Sequence, residues 1–233
     1  MGRYSPRAAL SSLRHFSDIL DFNIERISGL TRRMTDVYAD RMAREPNMAD
    51  PFSEPFLDWL ERLVLGKFHH SNVDRLVSGR FRIMAQSSTR HDDLKHTRPD
   101  SLKLIHHPDG SLRAILGNSY RTKTRPRNWI CSSMGVKPGN NGWLESTIDL
   151  LTDAHGSLSA PDDHLGKRAY PDRSGWDLGP PDGQADTMHI RYLMLRASKS
   201  LDQPKFTDDQ IRRMRHHGAK PTLTSAAQHY GVR

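Results

Sequence analysis

One cysteine, Cys131, in 233 residues excludes an intrachain disulfide framework and any cysteine-rich zinc module. Such sparing use of thiols fits a reducing compartment, and a cytoplasmic location is the expectation. Apolar residues are scarce as well, at 35 % of the chain with a mean hydropathy of −0.72. Part of the length is therefore expected to be linker or partner-facing surface. No apolar run approaches the roughly 20 residues that span a bilayer, so no membrane partner is expected. Acid is the other shortage. Asp and Glu number 27 against 35 Lys and Arg, which leaves a formal net charge of +8 at pH 7. That balance favours a polyanionic partner, with nucleic acid ahead of an anionic membrane surface.

The first 17 residues carry Arg3, Arg7 and Arg14 and no acid before Asp18, a composition similar to an organellar transit peptide. The apolar pattern continues straight through them, which favours a lead-in to a helix. From Leu13 an apolar 3-4 repeat runs through Phe16, Leu20, Ile27, Leu30, Met34 and Val37, with Asn23 in the seam. This spacing predicts a helix over 13–37 that buries one stripe, either against the next helix or as a homodimer seam. A second helix is predicted from Ser53 to Phe68, after the punctuation of Pro46, Pro51 and Pro55. A short third helix over Asn72–Val77 and a strand over Arg80–Met84 complete the region.

Ser101–Leu116 carries the clearest β signal, two apolar runs around the turn Pro108-Asp109-Gly110. The run Ile105-His106-His107-Pro108-Asp109-Gly110 resembles the opening of an HNH nuclease motif. That resemblance implies His106, His107 and Asp109 as catalytic candidates with a divalent metal, the only cofactor that any reading here calls for. The asparagine and the helix-borne third group of such a site do not follow in the expected places, so a plain hairpin is the favoured expectation. Between Asp109 and Glu145 there is no acidic residue, while Arg113, Arg121, Lys123, Arg125, Arg127 and Lys137 fall in the gap beside Tyr120 and Trp129. Cations interleaved with aromatics suit phosphate contacts and base stacking. The run Asn128–Met134 reads as a core strand that buries Trp129 and an inert Cys131 thiol. A turn at 135–142 and a short helix from Trp143 to Leu151 come next. Residues 153–185 are rich in Gly, Pro and Asp and read as an irregular connector. Within it Asp162-Asp163-His164 reads as polar surface rather than a metal cluster.

Thr187–Ser198 resumes helical spacing through Ile190, Leu193, Met194 and Ala197. In the final stretch, Thr207 and Gln210 form a capping box ahead of Ile211 and Met214, and Gly218 closes the helix. Thr222 or Thr224 then caps a helix carrying Ala226, Ala227, Tyr230 and Val232. Phe206–Arg233 resembles the first two helices of the helix-turn-helix modules of resolvase and invertase tails and of phage and mobile-element nucleases. The resemblance implies DNA ahead of RNA and a phage or mobile-element setting. The matched residues are scaffold, and no base-reading third helix lies among them. Phosphate contact without sequence choice is therefore the expectation, from Arg212, Arg213, Arg215, His216, His217 and Lys220.

The sequence thus predicts an α+β protein with a helical N-terminal region (1–88), a small β-containing basic region (89–152), an irregular connector (153–186) and a helical module (187–233). The expected function is nucleic-acid binding through Arg121, Lys123, Arg125, Arg127, Lys137, Arg212, Arg213, Arg215 and Lys220. A metal-dependent nuclease and an oligomeric assembly protein are the alternatives.

Overall fold

A computed structural model describes residues 50–120, 127–159, 162, 164–177, 179–199, 205–219 and 222. The 13–37 seam and the second helix of the helix-turn-helix pattern lie outside the described residues. So do Arg121, Lys123, Arg125, Asp163 and Lys220.

The fold is α+β. Helix α1 (Glu54–Val64) starts after Ser53 with Pro55 in its first turn, where a missing N–H costs nothing. Its buried stripe contains Phe56, Trp59, Leu60 and Leu63. Helix α2 (Asn72–Ser87) is capped by the Ser71 hydroxyl, which accepts from the Asp74 amide at 3.1 Å. It is the centre of the fold, packing against α1 and against α4 (Trp143–His155), α5 (Gly183–Lys199) and the strand Arg127–Ser132. Short α3 (His91–Lys95) follows. Strands β1 (Lys103–His106), β2 (Leu112–Ser119) and β3 (Arg127–Ser132) then form an antiparallel meander in the order β1-β2-β3. Helix α6 (Asp208–Arg213) and a 3-10 turn at His216–Gly218 complete the described chain.

The expected strand over Arg80–Met84 is instead the middle of α2. Arg80-Phe81-Arg82-Ile83 alternates charge with hydrophobe and so mimics a strand in sequence. The helix is enclosed on all sides, with every residue from Leu76 to Ala85 buried. Arg80 and Arg82 point into the protein because buried carboxylates meet them there. Gly79 is where α4 comes closest, since a Cβ at this position would stand 2.4 Å from the Thr147 hydroxyl. Side chains from Phe52 to Ala219 join in one hydrophobic core, so the sheet, the four longer helices and the C-terminal segment stabilise one another. Each fully enclosed Leu, Phe or Val in it contributes about 1.5–3 kcal/mol.

The hairpin forms as expected, with Leu104 opposite Ile115 and Ile115 opposite Cys131. The Cys131 thiol is buried, and burial pushes it up to about 12, as an inert core thiol requires. The expected short helix at 143–151 runs on to His155, where Gly156 at φ 75° ends it. The described residues between 156 and 182 hold no helix, although parts are well tied: Asp162 accepts from Lys167 at 2.7 Å and bonds His155 at 2.5 Å. The capping box at Thr207 and Gln210 is formed in both directions. Its helix does not reach Gly218. The backbone turns extended at Met214, whose side chain enters the core, and Arg191 of α5 donates to the carbonyls of Arg212 and Met214.

Candidate nucleic-acid interface

Asp186, on the first turn of α5, is buried and sits at the centre of a polar cluster drawn from four separate parts of the chain. It accepts from Arg80 of α2 at 2.5 Å and from His91 of α3 at 2.9 Å. Arg80 also donates to the carbonyl of Lys167 at 3.0 Å. Burial works to raise the Asp186 carboxyl, but Arg80 and His91 outweigh it and bring the group down to about 2. It is therefore ionised at neutral pH, and the Arg80 charge is compensated.

This pair holds His91 in place, and His91 in turn supports two histidines from the C-terminal segment. The His91 and His216 rings lie 4.8 Å apart edge to face, and the His216 and His217 rings 3.8 Å apart. His216 is anchored through Thr187. Its amide donates to the Thr187 hydroxyl, which lies 2.8 Å from its Nδ1. Gly183 makes room for this ring, because a Cβ there would stand 2.9 Å from His216 Cε1. Burial, then His91 and His217, lowers His216 to about 4, and burial and His91 lower His217 in the same direction. At neutral pH the His216 and His217 rings are therefore hydrogen-bonding groups rather than charges.

Arg90 directly precedes His91, and Arg215 directly precedes His216. Both side chains are exposed, as is that of Arg212. Among the described residues no carboxylate lies within ion-pair distance of these three guanidiniums. Two of the nearby acids are otherwise engaged. Asp186 holds Arg80 and His91, and Asp93 accepts from the Arg90 amide at 3.0 Å and pairs with Arg127 at 3.3 Å. Asp92 is exposed to solvent, 3.9 Å from His91 Nδ1. The two residues that follow α3 anchor both ends of the basic stretch. Tyr120 donates its amide to the His96 carbonyl at 3.1 Å, Ser119 bridges to Thr97, and the Trp129 indole donates to the Thr97 hydroxyl.

The residues expected from sequence divide accordingly. Arg212 and Arg215 are exposed and uncompensated. Arg127 is partly neutralised by Asp93. Lys137 reaches back 3.0 Å to Asp58 on α1, beside Asn140, and fixes the turn before α4. Arg213 pairs with Asp50 at 3.4 Å and Asp209 at 3.2 Å. Three of the expected contacts thus have carboxylate partners within the chain, and only the Arg213–Asp209 pair, four residues apart, is local in sequence. Arg80, Arg90, His91 and Asp186 went unrecognised because no local pattern links them.

The HNH-like residues form a turn. Asp109 accepts from both the amide and the hydroxyl of Ser111, which lowers its carboxyl, and His106 Nδ1 meets the Gly110 carbonyl at 3.1 Å. Among the described residues no group of three His, Cys, Asp or Glu side chains is placed to hold a metal ion. No helix among them is long and apolar enough to cross a membrane.

No protein-family model matches this chain, and no curated protein does. Among solved structures, the chain is similar to one described as an FLP recombinase–Holliday junction complex, at 13 % identity and a TM-score of 0.45, covering 100 % of this chain and 51 % of that one. It is also similar to a Flpe–Holliday junction complex, at 10 % identity and a TM-score of 0.43, covering 88 % of this chain and 49 % of that one. The chain spans about half the length of these proteins. Neither likeness assigns a role to any residue here.

Proposed function

We propose that this protein binds nucleic acid, duplex DNA first, through the phosphate backbone, on the surface that carries Arg90, Arg212 and Arg215. The observation that carries the reading is the contrast between neighbouring charges. Arg80 is buried and compensated by Asp186, whereas Arg90, Arg212 and Arg215, in the segments that carry His91 and His216, have no carboxylate partner among the described residues. Uncompensated, exposed arginines on a pre-ordered support suit bidentate contact with phosphate oxygens. His216 and His217 add hydrogen-bonding capacity without charge. Arg121, Lys123 and Arg125 join this reading on their charge and on the anchoring of Tyr120 and Arg127, while Lys137 and Arg213 drop out as paired ions. The helix-turn-helix resemblance of the tail and a phage or mobile-element setting belong to the same proposal. The groups that contact phosphate carry no base readout, so affinity is expected to depend weakly on sequence.

The test is fluorescence anisotropy on a labelled duplex in a salt series. Arg90→Ala and Arg215→Ala should each weaken binding by roughly tenfold at low salt and flatten the slope of log affinity against log salt by about 1. Arg168→Ala is the control, because Arg168 already pairs with Asp177 at 2.5 Å. Equal effects in all three variants would count against this surface.

A further inference from the structure

A cavity of about 500 Å³ opens beside the N-terminal half of α5, on the flank away from the histidine cluster. Its size falls within the range of small-ligand sites. One wall is a tight β-turn pinned by the Ala169–Trp176 bridge and the Tyr170 amide bond to the Gly175 carbonyl at 2.9 Å. It carries Tyr170 and Arg173. The other wall is the stripe Gln184, Met188 and Tyr192 of α5, spaced one helical turn apart. Arg173 lies flat against the wall, its guanidinium 3.6 Å from the Tyr192 ring centroid. It does so with its backbone at φ 59°, a conformation that costs a non-glycine residue about 1 kcal/mol and that the surrounding turn must hold. Tyr170 and Met188 remain exposed although they line the cavity.

These walls offer flat aromatic and guanidinium surfaces together with a polar rim. Asp182 Oδ1 is occupied by the amides of Gln184 and Ala185 at 3.0 and 2.8 Å, and its second oxygen is left as an acceptor at the mouth. A planar ring whose edge carries an amino group satisfies both features. An aliphatic side chain would satisfy neither. The position adds a second reason. Gln184 and Met188 line the cavity, while Asp186 and Thr187, between them on the same helix, hold His91 and His216. The cavity and the support for the arginine surface therefore lie on different faces of one helix, which is about 10–12 Å across.

We infer that this cavity receives an unstacked nucleobase, one bearing an exocyclic amino group, from nucleic acid whose backbone lies on the Arg90–Arg215 surface. The inference rests on the phosphate-binding reading above. Stacking on Tyr170, Met188 and the Arg173–Tyr192 pair supplies the affinity, and Asp182 favours adenine, cytosine or guanine over thymine. Removing a base from a perfect duplex is costly, so the preferred ligand already holds one unpaired.

The experiment compares a perfect duplex with the same duplex carrying one central bulged 2-aminopurine, an amino-bearing adenine analogue, or one bulged thymine. The protein should bind the 2-aminopurine bulge about tenfold more tightly than the perfect duplex, with the thymine bulge in between. Its emission should change on binding. Tyr170→Ala and Met188→Ala, both at exposed positions, should abolish the preference and the emission change while leaving perfect-duplex affinity intact. If binding stays salt-dependent and Arg215-sensitive but shows no bulge preference, the base pocket is overturned and the phosphate surface stands. A preference that survives both variants overturns it too, as does a protein dimer that these variants dissociate, which would make the cavity a protein contact. Loss of Arg215 sensitivity overturns the phosphate reading itself.

Discussion

Replacing Asp186 by asparagine should destabilise the protein by about 3–5 kcal/mol, because it leaves the Arg80 guanidinium buried without a counter-charge. Arg80 and Asp186 are each almost fully enclosed, and the carbonyl of Lys167 offers Arg80 only a partial dipole in place of an ion. A fold of this size is held by roughly 5–15 kcal/mol, so the substitution removes a large fraction of the total. In a thermal melt the midpoint should fall by on the order of 10 °C. The pH dependence has a definite sign. The Asp186 carboxyl has its folded value drawn below the ordinary 3.8, to about 2. Its stabilising contribution is therefore complete above about pH 4 and disappears as pH falls through 2. His216 acts in a higher window. Its folded value is lowered from 6.5 to about 4, so the unfolded chain takes up the proton first and stability declines as pH drops from 6.5 towards 4. Asp186→Asn should remove the Asp186 share of the lower window, which Asp162 and Asp74 also occupy, and leave the upper one. A loss under 1 kcal/mol would show that the buried pair does not hold the cluster.

Glu61→Ala is expected to be comparably severe, at about 3–5 kcal/mol by urea unfolding. Glu61 has no solvent exposure, and it accepts from Arg82 at 2.6 Å, from the Val136 amide at 2.8 Å and from Asn140 at 3.0 Å. One carboxylate thus ties α1 to α2 and to the turn that leads from β3 into α4. Removing it strands a buried guanidinium and an amide together. Adding Arg82→Ala to Glu61→Ala should cost less than the sum of the two single changes, by about 1–3 kcal/mol, since the second change removes the stranded charge. Additive costs would indicate that Arg82 is stabilised mainly by its cation–π contact with Trp143, 5.0 Å away.

These two carboxylates also show where sequence reasoning reaches its limit. Local chemistry was legible. Pro108-Asp109-Gly110 specified the hairpin, the acid-free run around Trp129 contained a core strand, and Thr207 with Gln210 gave the cap of α6. Each signal lies within a few residues of its effect. Helix α2 was only half legible, because a helix buried on all sides has no polar face to set its period. Arg80 and Arg82 alternate with hydrophobes as in a strand, and their counter-charges lie far off in sequence, on Asp186, 106 residues away, and Glu61, 21 residues away. The candidate site depends on the same kind of long-range pairing. Arg212 and Arg215 were visible as charge, but only the fold shows that Lys137 and Arg213 pair with Asp58 and Asp50 and that His91 meets the C-terminal segment.

The central claim is that the uncompensated arginines bind phosphate, and the affinity of the unaltered protein for a labelled DNA duplex between about 50 and 300 mM salt tests it most directly. Three guanidinium contacts predict that log affinity falls against log salt with a slope of about −3 or steeper. A slope near zero, or no binding at the lowest salt, would contradict it.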